Sequence, residues 1–239
     1  MKKLLFGCSL IVLAAVSCKK TTPTIQDPGT SYMTMDSGSV WNYESFNNTD
    51  TTSTTYTLTA TGTDTTVNSR VYRIFNRLDT SGLSSEYYNI SVNDYYQYTS
   101  LSAQLPPLEL KYLVNNAGVG ASWEQPLEVS QNQSGITLNF NATLRYTVVE
   151  TGGTITVASN NYNDIIKVKT EIINPTISSS LPIPISIEPI TQDINAYYAP
   201  HQGLVKRDFL LQIDINLLGT IQNIINNNTS TSLISSNIP

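Results

Sequence analysis

The sequence predicts an all-β fold: a single antiparallel meander forming a curved sheet or an incompletely closed barrel, with a β-sandwich as the alternative. Three observations carry this. Apolar and polar residues alternate with period two along most of the chain, short turn signals separate the alternating runs, and Thr, Ser and Asn make up about a third of the residues. That composition suits strands with one solvated face.

Taken in order, the chain opens with an address. Met1-Lys2-Lys3 is a positive n-region, and residues 4–16 are an apolar run of signal length, too short to span a bilayer. The run ends Ala14-Ala15-Val16-Ser17-Cys18, which resembles a bacterial lipobox with Ala15 in place of the commoner leucine. The resemblance implies cleavage after residue 17 and lipidation of Cys18. The competing reading is a core thiol beside an uncleaved helix. Acyl chains on Cys18 would make the membrane a partner through an anchor, since each buried methylene adds about 0.8 kcal/mol. Cys8 leaves with the signal, so the mature chain can form no disulfide. Residues 18–38 read as the lipidated cysteine and a flexible tether, rich in Thr, Pro, Gly, Ser and Asp.

An all-β domain is expected over 39–218. Alternating runs cover 41–47, 54–61, 70–77, 86–93, 95–101, 108–114, 136–149, 154–158, 165–173, 183–187 and 204–217. Turns are expected at Gly62-Thr63-Asp64, Asp79 to Gly82, Asn93-Asp94, Asn115 to Gly118, Gly152-Gly153, Asn160-Asn161 and Pro200 to Gly203. The proline-rich passage 174–189 is expected as an edge strand or loop flanking an opening, because Pro182, Pro184 and Pro189 lack the amide a central ladder needs. No confident helix is predicted; 217–226 is the best candidate, weakened by Gly219. Residues 219–239 read as a low-complexity tail.

The same residues narrow the chemistry. Thirteen Lys and Arg against eighteen Asp and Glu form no basic stripe, so no nucleic-acid partner is expected. The single histidine, His201, reads as an exposed turn residue rather than a base or ligand. Carboxylates are dispersed singly, and no phosphate loop, nucleophile elbow or metal motif occurs. The expectation is therefore a non-enzyme with no catalytic residue, cofactor or metal.

Gly38-Ser39-Val40-Trp41-Asn42-Tyr43, Gly118 to Trp123, and Tyr197-Tyr198 through Gly203-Leu204-Val205-Lys206 resemble signatures of uncharacterised Bacteroidota envelope lipoproteins. The resemblance implies an all-β envelope domain, similar to the open barrels of lipoprotein-carrier proteins, and implies no activity. In that group an acidic stretch after the cysteine favours export to the cell surface. Lys19-Lys20 departs from it, so an outer-membrane lipoprotein facing the periplasm is expected, with surface exposure as the alternative.

Fourteen Tyr and two Trp form a heavy aromatic load, five of the tyrosines falling on one hairpin. Period two sends Tyr88 to the core face and Tyr87 to the polar face. Tyr87, Tyr95, Trp41 and Trp123 are the candidate ligand surface, against the plainer reading of sheet packing. Asp50-Thr51 and Asp64-Thr65 resemble a short O-glycosylation acceptor. The functional expectation is a binding or carrier lipoprotein for an apolar or glycan ligand, with a structural role contacting envelope proteins as the alternative. The first requires a cavity that side chains do not fill; the second, a filled core.

Overall fold

A computed structural model describes residues 31–100, 107–133 and 136–239. The signal segment, Cys18 and most of the expected tether lie outside the described residues. The chain forms β1 (Val40–Asn47), β2 (Thr52–Val67), β3 (Arg70–Asp79), β4 (Gly82–Ser91), β5 (Asp94–Thr99), β6 (Leu108–Val114), β7 (Ser122–Gln133), β8 (Ile136–Val157), β9 (Asn160–Ser179), β10 (Ile185–Ile187), β11 (Thr191–Ala199), β12 (Gly203–Leu217) and β13 (Thr220–Asn237). No helix occurs among the described residues.

All thirteen strands belong to one antiparallel sheet, in the order β6-β5-β4-β3-β2-β1-β13-β12-β11-β9-β8-β7. β10 pairs with the far end of β12 and continues the line of β11 past an interruption at 188–190 that contains Pro189. The first and last strands are zipped together by the β1–β13 ladder. The sheet is thus nearly closed into a barrel, and its one unsealed seam lies mid-chain, between β6 and β7.

Alternation explains the core. Along β8, Phe140, Ala142, Leu144, Tyr146 and Val148 are buried while their neighbours are more exposed. Two tight hairpins turn at Asn68-Ser69 (φ 49° and 67°) and Ala158-Ser159 (φ 47° and 72°), the positive-φ pairs that match strand twist.

Several expectations change. Gly62 and Gly152-Gly153 do not end strands; each marks a register shift inside a longer one, in β2 and β8. β7 carries no predicted run, yet Trp123, Gln125, Leu127 and Val129 alternate along it. Pro126 is tolerated there because β7 is an edge strand. Residues 220–237, read as a tail, form β13 between β1 and β12, with Leu233 and Thr231 buried. Backbone ladders on both sides hold this polar strand where its side chains offer little apolar area. The Pro-rich passage ends β9, then forms a loop and the short β10, as an interrupted edge would.

Residues 31–36, inside the expected tether, are packed onto the barrel. Tyr32 and Met33 are buried, the Tyr32 amide donates to Tyr95 Oη (2.9 Å), and the Tyr32 hydroxyl donates to the Asp164 carbonyl (2.6 Å). The His201 amide donates to the Ser31 carbonyl (2.8 Å), and Arg73 Nη1 to the Met35 carbonyl (2.6 Å). This segment seals the barrel end where β11 turns into β12.

Candidate functional site

The barrel interior holds a cavity of about 320 Å³, partly open to solvent and lined by side chains from eleven of the thirteen strands. That lies at the low end of the range for small-molecule pockets. Met33 of the sealing segment closes one end. β5 runs away from that segment, so Thr99 and Ser100 mark the other end.

Six tyrosines line the wall: Tyr43, Tyr56, Tyr88, Tyr112, Tyr146 and Tyr198, from β1, β2, β4, β6, β8 and β11. Tyr43 stacks on Tyr56 with centroids 5.0 Å apart, and Tyr112 packs against Tyr88 (6.3 Å) and Tyr198 (5.5 Å). Burial raises the pKa of all six phenols above the ordinary 10. Leu58, Leu110, Leu144, Ile172, Ile194 and Leu211 supply the apolar part of the lining.

Among the described residues, three side chains of charged type line the cavity: Arg77, Glu86 and Arg207. Glu86 is fully engaged. It lies 3.2 Å from Arg77 Nη1 and accepts from the Tyr88 hydroxyl (2.5 Å) and from Gln97 Nε2 (3.3 Å). Arg77 also reaches Asp79 (3.2 Å) and stacks 3.7 Å over the Tyr56 ring. Glu86, the one carboxylate of the lining among the described residues, thereby anchors a hydrogen-bonded cluster.

Beside the cavity, side chains bridge the seam. Gln125 of β7 mimics a strand: its Oε1 accepts from the Lys111 amide (2.9 Å) and its Nε2 donates to the Glu109 carbonyl (2.9 Å). Trp123 Nε1 donates to the Lys111 carbonyl (2.7 Å), and the Trp123 ring lies flat on Tyr146 at 5.5 Å and 4°. Gln192 does the same at the β9–β11 junction, bonding both the amide and the carbonyl of Ile172 (2.7 and 3.0 Å).

The residues singled out from the sequence are dispersed, and none of the four lines the cavity. Trp41 is buried against Phe75 (5.6 Å), and Tyr95 is buried beneath the sealing segment. Trp123 backs Tyr146 at the seam. Tyr87 lies on the outer face, edge to face with Tyr98 (6.3 Å), in a network that includes Arg70 stacked 3.6 Å over Tyr96 and paired with Glu109 (2.8 Å). The Tyr72 hydroxyl donates to the same Glu109. The cavity tyrosines, Arg77 and Arg207 were not singled out. Period two marks each of them as inward, but it does not distinguish a wall from a filled core.

No family model matches the chain, and no curated protein matches it. Among solved structures, it resembles a protein of Parabacteroides distasonis assigned as a lipoprotein, with a TM-score of 0.52 at 14% identity, covering 87% of this chain and 99% of that one. It also aligns with a protein of Bacteroides fragilis assigned as exported, with a YmcC-like fold, at a TM-score of 0.43 and 11% identity, covering 87% and 100%. At this identity the Parabacteroides likeness is one of fold.

Proposed function

We propose that this protein is a cell-envelope lipoprotein, anchored through Cys18 and facing the periplasm from the outer membrane, whose barrel binds or carries a small apolar or glycan ligand. The observation that carries the reading is the cavity of about 320 Å³ inside the barrel, a volume the core side chains leave open. A binding role is favoured over catalysis by the engagement of Glu86, the one carboxylate lining the cavity among the described residues, with Arg77, Tyr88 and Gln97. The signal and lipobox support the location, and the Parabacteroides fold relative, assigned as a lipoprotein, agrees with it.

Native mass spectrometry of the full chain purified gently from its host tests the binding role. The expected result is a retained small-molecule mass. A clean protein mass with a co-purifying envelope protein would overturn it in favour of an assembly role. Metabolic labelling with an acyl precursor tests the anchor: label is expected in the wild type and lost in Cys18→Ser, and label persisting in that variant would refute the assignment.

A further inference from the structure

The charge balance of the cavity wall is uneven. Arg77 is matched by Glu86 and Asp79. Arg207, on β12, takes part in none of the ion pairs among the described residues, and its Nε is buried with no hydrogen-bond partner. Its partners across the sheet, Ala196 on β11 and Thr231 on β13, carry no charge. The Arg207 side chain is half-buried, with its guanidinium 5.8 Å from the Phe209 ring, and a planar guanidinium fork with no carboxylate partner suits a carboxylate or phosphate.

Arg207 does not stand alone. Tyr56 and Tyr198 line the same cavity, and the Arg207 charge favours ionisation of both phenols. Arg207 lies four residues beyond Gly203, about 13 Å along β12 from the sealed end, and it lines the cavity. The leucines and isoleucines of the lining supply an apolar surface that a bare anion would leave unmatched.

We propose that the cavity takes an anionic amphiphile, a carboxylate or phosphate head on an apolar body, and that Arg207 is the counter-ion for the head. This rests on the carrier reading above and narrows its ligand to one charge class.

The test compares dansylated undecanoic acid, its methyl ester and inorganic phosphate on the full chain in phosphatidylcholine nanodiscs, with protein-free discs as the blank. The acid is expected to bind roughly ten- to hundredfold more tightly than the ester, the range of one charge-assisted hydrogen-bonded contact. Arg207→Gln is expected to erase that preference and Arg207→Lys to keep most of it. Phosphate at equal concentration is expected to leave the acid bound. Equal binding of acid and ester by the wild type would overturn the counter-ion role while leaving the carrier reading standing, and this comparison needs no variant to fold. Displacement of the acid by equimolar phosphate would overturn the amphiphile in favour of a free anion. Failure of both probes to bind would count against the carrier reading as well.

Discussion

Gly62 sits at φ 77° where β2 shifts register, and a Cβ there would lie 2.6 Å from Ser37 Oγ and 2.8 Å from its Cβ. Both the backbone conformation and the approach of the segment before β1 demand glycine. Gly62→Val is expected to destabilise the barrel by about 2 kcal/mol, combining the left-handed penalty with displacement of residue 37. A urea unfolding midpoint unchanged from wild type would refute this. Individual side chains were unevenly legible. Alternation alone correctly separates Tyr88, which lines the cavity, from Tyr87, which faces outward. Trp41 and Tyr95 look like surface aromatics in a polar context, yet they are 1% exposed, because Phe75 covers one and the residue 31–36 segment covers the other.

The most informative pair of strands is β6 and β7, which have no backbone ladder between them among the described residues. Gln125 supplies two surrogate ladder bonds, so removing it leaves a partly buried amide and carbonyl unsatisfied at the seam. Gln125→Ala is expected to cost about 1–3 kcal/mol, and the Lys111 amide is expected to exchange hydrogen faster than in the wild type. Unaltered exchange at Lys111 would show that the seam is held by something else. β7 was hidden in the sequence for the same reason it matters. A glutamine at an inward position and Pro126 at the next interrupt the apolar alternation, and their compatibility with a strand comes from the edge beside them. β13 was hidden differently: its Asn, Ser and Thr resemble a frayed tail until β1 and β12 pair with it.

Burial of the six cavity tyrosines gives the barrel an alkaline limit. Each phenol has its pKa raised in the folded state, so above pH 10 the unfolded chain binds fewer protons than the folded one and stability falls as pH rises. Below pH 10 the neutral phenols contribute their full packing. Above it, each group removes about 1.4 kcal/mol per pH unit until its folded pKa is passed. The expected result is that phenolate absorbance rises in two stages, exposed tyrosines first and the cavity set together with loss of the far-ultraviolet β signal. A single smooth titration with the fold intact would refute it.

The fold class is written in local pattern: period-two alternation, short turns and about a third of the residues Thr, Ser or Asn leave a strand-rich antiparallel meander as the way to bury one face of each run. The same pattern located most strands, since alternation is a local property of neighbouring side chains. Closure and the cavity came from contacts between residues far apart in the chain. β1 meets β13, Glu86 meets Arg77 across a hairpin, and Arg207 lines the same cavity as Tyr56 and Tyr198. Local pattern says which face of a strand points inward. Whether that interior fills or stays open depends on how many strands close around it and which charges meet there.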